Sequence, residues 1–286
     1  MHNSESGTEI RNTEWFELLC MSMRKPGSPV GWGGQSLPPF PSESLQVMTT
    51  GASGANTLRE AFIFYEDCLE TYADLGKPLR TDSRLLDFGT GWGRISRCFL
   101  RDIPRHNLHG IDVDPGLISE CKEAFGPEGF SVCRPFPPTE LPDSFFDFIV
   151  GFSVFSHLTE NACKLWMEEF YRLLKPGGIV AMTTRGRWFF DYCAALRNKP
   201  VEGYLKSLSE MFPDSTAAKA RYDRGEFVHS SDEGLGGGGP RNSEFYGETF
   251  IPEAYARRAY QPQFNLARFF AAPGSNKQSI MFFVRQ

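Results

Sequence analysis

The run Leu85-Leu86-Asp87-Phe88-Gly89-Thr90-Gly91-Trp92-Gly93 constrains this chain more than any other segment. An apolar strand feeds a turn of three alternating glycines, and a carboxylate stands near the strand's end. Glycine has no Cβ and accepts positive φ, so such a turn lets the backbone come close to a nucleotide-type ligand. In the dinucleotide form of this turn, pyrophosphate rests on the N-terminus of the following helix, where Asp87 would repel it. Arg94 also occupies the position of the third glycine in G-x-G-x-x-G. An adenosine that carries an ammonium group and no phosphate suits this turn better than a dinucleotide does.

Around the turn the chain alternates strand and helix. Residues 1–55 hold Pro26, Pro29, Pro38, Pro39 and Pro41 among several glycines and read as an irregular N-terminal arm or lid. Leu58, Phe62, Tyr65, Leu69 and Tyr72 then recur at helical spacing over 56–75, with Asn56 or Thr57 as cap. Strands are predicted at 84–88, 108–113, 130–133, 146–152 and 179–184, and helices at 94–102, 116–125 and 160–174. Lys175-Pro176-Gly177-Gly178 reads as a helix stop and tight turn. Such alternation specifies a parallel sheet with helices on both faces. Beyond Arg185, helices are predicted at 188–196 and 201–211, a mobile glycine-rich loop at 230–240, and two strands at 264–270 and 279–284 joined by a turn. The division that follows is an arm over 1–55 and one domain over 56–286. Within that domain lie a core at 84–186, a substrate-side helical and loop insertion at 187–262, and a terminal strand pair at 263–286.

This ordered set of motifs resembles the class I S-adenosylmethionine-dependent methyltransferases. The resemblance covers about Leu85 to Arg185: the glycine turn, the acid after the second strand in Gly110-Ile111-Asp112-Val113-Asp114, the segment Phe146 to Leu158, and Leu173 to Gly178. It implies an α/β, Rossmann-like, doubly wound, seven-stranded, mostly parallel sheet whose last strand is antiparallel, with S-adenosyl-L-methionine as cofactor. In the family the glycine turn lies against the methionine part, which assigns Asp87, Gly89, Thr90, Gly91 and Gly93 to cofactor binding. Asp87 would help to hold the ammonium group; its alternative is to cap the next helix.

Asp112 is the ribose candidate, since one carboxylate accepts hydrogen bonds from both hydroxyls, with Val113 beside it. Asp114 precedes Pro115 and reads as the cap of the following helix. Relatives often place Asp or Asn after the third strand to bind adenine, but this chain has Cys133-Arg134-Pro135-Phe136. Phe136 is the candidate for adenine, its alternative being a core residue. Ser153 to Leu158 would form the floor under the sulfonium, with Ser153 a cofactor contact. His157 is the candidate catalytic base for an acceptor hydroxyl or amine, or else a brace of its loop. Arg185 reads as a surface ion pair rather than a substrate contact. Thr49 to Gly54 and Tyr246 to Phe250 read as polar loops near an acceptor pocket.

Charge and composition narrow the partners. A net charge of −5 over 286 residues gives no basic footprint for nucleic acid. Seven cysteines, at 20, 68, 98, 121, 133, 163 and 193, lack metal-site spacing and read as reduced thiols of a cytoplasmic protein. No apolar run reaches the roughly 18 residues of a membrane span, and the polar start with Glu5 and Glu9 fits no leader. The reading is therefore a methyltransferase acting on an oxygen or nitrogen of a small molecule, with no metal, nucleic acid or membrane partner and the oligomeric state left open. The alternatives are a methyltransferase-like binding protein without catalysis and, less favoured, a Rossmann oxidoreductase.

Overall fold

The computed structural model describes residues 10–24, 30–231 and 234–286. The elements run α1 (Asn12–Arg24), β1 (Gly31–Trp32), β2 (Gln35–Ser36), α2 (Glu43–Thr50), α3 (Gly54–Asp74), β3 (Leu85–Phe88), α4 (Ser96–Phe99), β4 (Leu108–Asp112), α5 (Pro115–Phe125), β5 (Phe130–Val132), β6 (Phe146–Gly151), α6 (Glu160–Leu173) and β7 (Leu174–Arg185). They continue with α7 (Trp188–Leu196), α8 (Gly203–Glu210), α9 (Ser215–Asp223), β8 (Val228–Ser230), β9 (Glu248–Phe250), α10 (Glu253–Ala259), β10 (Phe264–Phe270) and β11 (Gln278–Arg285). Seven strands form one sheet in the order β10-β11-β7-β6-β3-β4-β5. β3 pairs in parallel with β4 and β6, and β7 in parallel with β6. The last strand, β11, enters antiparallel between β7 and β10.

Strand side chains alternate between two apolar layers. Leu85, Phe148, Val150, Ala181 and Phe282 face α1, α3 and α4, whereas Leu86, Phe88, Ile149, Val180 and Phe283 face α6 and α10. Both faces of the sheet are covered, which is why its central strands read as continuous apolar runs.

Several sequence expectations need correction. The arm is not irregular throughout: Trp15 and Leu19 of α1 are buried in the core, and α2 begins at Ser42, whose side chain accepts from Leu45 N. The expectations for residues 1–9, including Glu5 and Glu9, and for Pro26, Gly27 and Pro29 lie outside the described residues. α3 starts two residues before its predicted cap because Thr57 Oγ1 is engaged with Thr50 Oγ1 at 2.8 Å, while Gln46 Oε1 receives Gly54 N at 2.9 Å. The helix before Lys175 stops as expected, at Leu173, but the predicted tight turn at 175–178 is an irregularity inside one long strand. Leu174 still pairs with Phe146, the register shifts before Phe148, and Lys175 Nζ binds both oxygens of Asp147 at 2.7 and 2.8 Å.

The stretch after α8 holds more structure than a loop. α9, the β8–β9 pair and α10 are each short, so no period develops in the sequence. Phe189, Phe190, Leu208, Val228 and Phe250 nevertheless give this insertion a hydrophobic cluster of its own, with Phe190 stacked on Phe250 at 4.0 Å. Of the predicted glycine loop, residues 232 and 233 lie outside the described residues.

Candidate functional site

A cleft opens above the C-terminal ends of β3, β4 and β6. Open parallel sheets bind ligands at this end. Gly89, Thr90, Gly91, Asp112, Val113, Ser153 and His157, all singled out in the sequence, line it together.

The glycine turn is shaped by three different constraints. Gly89 has φ +70, and a Cβ there would come within 2.4 Å of Val154 Cγ2. Gly93 has φ +78 and lies off the cleft; its Cβ would meet Phe125 Cε2 at 2.4 Å, so its role is packing. Gly91 has φ +55 and open space where a Cβ would go, which leaves free backbone on the cleft wall.

Asp87 is 1% exposed and sits beneath this turn. Its Oδ2 accepts from Thr90 Oγ1 at 3.0 Å, Ser96 Oγ at 2.7 Å and Ser96 N at 3.1 Å, so it does cap α4. Its Oδ1 is buried with no partner among the described residues. Burial raises the Asp87 pKa to about 6 against the Ser96 and Thr90 hydrogen bonds that oppose the shift. A buried carboxylate oxygen left unpaired is costly; Asp87 itself does not line the cleft but lies directly below the residues that do.

Asp112 is 7% exposed and stands at the end of β4. Gly91 N donates to its Oδ2 at 2.9 Å and Asp114 N to its Oδ1 at 2.9 Å. Each oxygen keeps a second lone pair, so a diol is met by a carboxylate already fixed in place. Burial raises its pKa, opposed by those two backbone donors. Asp114 caps α5 by accepting from Gly116 N at 2.9 Å.

Phe136 is not brought to the cleft. It packs in the core with its ring 6.0 Å from that of Phe245, while Cys133, Pro135, Trp166 and Phe245 form the wall near Asp112. Arg94, Leu117, Trp166, Arg241 and Phe245 are cleft residues that the sequence reading missed. Arg94, in sequence only an absent glycine, points at α3, with Nη1 bonding Thr57 O at 3.1 Å and Glu60 Oε2 at 3.0 Å. Arg241 follows the glycine run and Pro240, and lies 3.6 Å from Asp114.

Ser153 and His157 form the opposite wall. Ser153 is a non-glycine residue at φ 60, a backbone state that costs about 1–3 kcal/mol and persists only where surroundings enforce it. His157 is 8% exposed, with Nδ1 2.7 Å from Gly247 O and Nε2 3.4 Å from Ser153 Oγ. A carbonyl only accepts, so Nδ1 carries a proton and Nε2 of the neutral ring is an acceptor. The ring stacks on Tyr246 at 4.6 Å and an interplanar angle of 4°.

The insertion is strapped to this wall through its backbone. Gly247 N donates to His157 O at 2.7 Å and Thr249 N to Ser156 O at 2.8 Å. Only Tyr246 of the predicted polar loop 246–250 reaches the cleft, because 248–250 is strand β9. Arg185 is corrected from a surface pair to a half-buried partner of a buried carboxylate. Its Nε lies 2.7 Å from Oε2 of Glu248, whose side chain is 0% exposed and whose Oε1 is 3.3 Å from His157 Nδ1. Burial pushes the Glu248 pKa up, but the Arg185 guanidinium, with the hydrogen bonds from Arg185 and His157, holds it down, to about 2.

Among the described residues no group of His, Cys, Asp and Glu is placed to hold a metal ion, and no helix is long and apolar enough to cross a membrane.

Comparison with known proteins adds a family. Residues 85–178 match the family described as Methyltransferase domain. The uncharacterized methyltransferase YdaC of Bacillus subtilis (strain 168) is 32% identical over 109 residues, covering 38% of this chain and 59% of the relative. An uncharacterized methyltransferase of Bacillus mycoides (strain KBAB4) is 29% identical over 121 residues, covering 42% and 53% respectively. The chain thus spans a little over half the length of these curated relatives. Among solved structures, an S-adenosylmethionine-dependent methyltransferase from Clostridium acetobutylicum ATCC 824 aligns at 14% identity and TM-score 0.48, covering 79% of this chain and 90% of its own. Over residues 85–178 this chain is therefore similar to methyltransferase domains.

Proposed function

We propose that this protein transfers a methyl group from S-adenosylmethionine to an oxygen or nitrogen of a small molecule. The observation that carries the reading is the unpartnered, buried Oδ1 of Asp87 under a glycine turn whose Gly91 leaves the cleft wall open. An ammonium donor and close backbone approach are what that pair of features accommodates.

S-adenosylmethionine supplies an already activated methyl carbon on a sulfonium. The protein's part is therefore alignment and exclusion of water. Asp112, held by Gly91 N and Asp114 N, would receive the ribose hydroxyls. Asp87 Oδ1 would take the ammonium end, directly or through a water. Cys133, Pro135, Trp166 and Phe245 offer an apolar slot for the adenine, in place of Phe136. Thr49 and Thr50 of the arm and Tyr246 of the insertion line the remainder of the cleft, where the acceptor would be enclosed. His157 Nε2, unprotonated in the neutral ring, is the group available to take the acceptor's proton.

Isothermal calorimetry with S-adenosylhomocysteine tests this reading. Binding by the native protein and a loss of about 100-fold in Asp112→Ala are expected, since two hydrogen bonds to a charged acceptor disappear at about 1.5 kcal/mol or more each. Absence of heat in the native protein, or unchanged affinity in the variant, would refute it.

A further inference from the structure

Ser153 is held by a closed set of hydrogen bonds that the cofactor reading does not require. Its backbone N–H donates to Thr183 Oγ1 at 2.7 Å. Thr183 therefore spends its own proton on Gln278 Oε1, 2.7 Å away. That contact fixes the amide orientation, and Gln278 Nε2 donates to Ser153 Oγ at 2.9 Å. Ser153 Oγ has then accepted one bond and still holds its proton. His157 Nε2, 3.4 Å distant, is an acceptor because Nδ1 is committed to Gly247 O. Ser156 Oγ, at 3.3 Å, competes for this hydroxyl, and either serine of that pair can be the donor. One lone pair on Ser153 Oγ remains, and the residue lines the cleft.

The step from Gln278 to Ser153 has a fixed direction, and a neutral His157 ring presents an acceptor at its end. Three elements build it: β7 gives Thr183, the inserted strand β11 gives Gln278, and the residue at φ 60 after β6 gives Ser153. The backbone at Ser153 is left-handed and its N–H is tied to Thr183, a combination that sets the direction of its hydroxyl.

We propose that Ser153 is a catalytic residue that relays the proton of an acceptor hydroxyl to His157, with Gln278 and Thr183 as its positioning residues. This rests on the methyltransferase reading above and deepens it by naming the acceptor group. The acceptor hydroxyl donates to the free lone pair of Ser153 Oγ. As its oxygen bonds to the methyl carbon, its proton passes to Ser153 Oγ and the Ser153 proton to His157 Nε2. The carbon–sulfur bond breaks with its electron pair on sulfur, and His157 becomes an imidazolium beside the Glu248 carboxylate at 3.3 Å. A neutral hydroxyl is the acceptor that fits: the Glu248 carboxylate, the negative group nearest His157, is wholly buried and paired with Arg185, so it offers nothing to a cationic amine.

The test compares the native protein with Ser153→Ala and Gln278→Ala by three measurements. Calorimetry with S-adenosylhomocysteine should give affinities within about twofold of native for both variants. In 15N-histidine NMR, the native His157 should show a protonated Nδ1 and a hydrogen-bonded Nε2, and the Nε2 resonance should move in both variants while Nδ1 stays protonated. Transfer of labelled methyl to a panel of phenols, hydroxy acids and amines should favour hydroxyls. There kcat should fall about 100-fold in Ser153→Ala and about tenfold in Gln278→Ala, with KM within about threefold. A tenfold loss of S-adenosylhomocysteine affinity in Ser153→Ala would make it a cofactor contact and overturn the relay. An unmoved Nε2 resonance, or transfer to amines alone, would also overturn it. Failure of the native protein to bind S-adenosylhomocysteine would instead remove the methyltransferase reading itself, a result the NMR does not depend on.

Discussion

Trp92 Nε1 donates to Thr49 Oγ1 at 3.0 Å, joining the glycine turn to the C-terminal end of α2. Phe40 packs on the same indole with ring centroids 5.8 Å apart. The arm is thereby pinned over the cleft by the residue between the second and third glycines. Thr49→Val removes the hydroxyl and keeps the shape, so about 1 kcal/mol of anchoring is lost. Affinity for S-adenosylhomocysteine should fall about fivefold by calorimetry, while the thermal midpoint stays within a few degrees of native. An unchanged affinity would detach the arm from cofactor binding.

Asp87 makes cofactor binding acid-sensitive. Its pKa stands at about 6 in the fold against an ordinary 3.8. A carboxyl raised in this way favours the free folded protein below about pH 4, and that contribution is lost as pH rises through about 6. Binding of an ammonium group has the opposite sign, because it needs the ionised form. Affinity for S-adenosylhomocysteine should therefore hold above pH 7 and fall by up to about tenfold per unit below pH 6, with Asp112 adding to the fall. Calorimetry from pH 5 to 8 measures the slope, and Asp87→Asn should flatten it.

Gly91 and Gly93 are adjacent in the motif and should fail differently when substituted. Gly93→Ala places a Cβ against the Phe125 ring at positive φ and should cost about 2–5 kcal/mol in urea unfolding. Gly91→Ala meets nothing and should cost only the about 1–2 kcal/mol of its backbone conformation. It should nevertheless weaken S-adenosylhomocysteine binding at least tenfold, because the new methyl occupies the cleft wall. Equal effects on stability and binding in the two variants would contradict this division of labour.

The contrast shows which parts of the site were legible in sequence. Asp87, Asp112 and the glycines stand at strand ends in the order of the family they resemble, so the resemblance and their spacing together place them at the ends of β3 and β4. Gly93 looked identical to its neighbours because its reason is Phe125, a contact across 32 positions that no local pattern carries. Phe136 was misplaced for the same cause, since the chain direction after β5 decides whether a ring faces core or cleft. The sheet was legible because buried strands are continuous apolar runs, and α1 was hidden by the prolines and glycines that follow it. Glu248 was the hardest to foresee. Its segment reads as a polar loop, and only the pairing of β9 with β8 turns that carboxylate inward toward Arg185 and His157.

That pair gives a stability prediction with a defined pH range. Glu248→Ala leaves the Arg185 guanidinium without its carboxylate in a buried site, and breaking one partner of such a pair costs about 3–5 kcal/mol. Arg185→Met in the same background removes the stranded charge and should recover much of the loss. In the native protein the Glu248 pKa is lowered from 4.5 to about 2, so its contribution is present in full above about pH 5 and is lost as pH falls from there toward 2. Urea unfolding at pH 7 and pH 3.5 separates the effects: the gap between native and Glu248→Ala should narrow at the lower pH. A gap of equal size at both would mean that packing around residue 248, and not its charge, holds the insertion against His157.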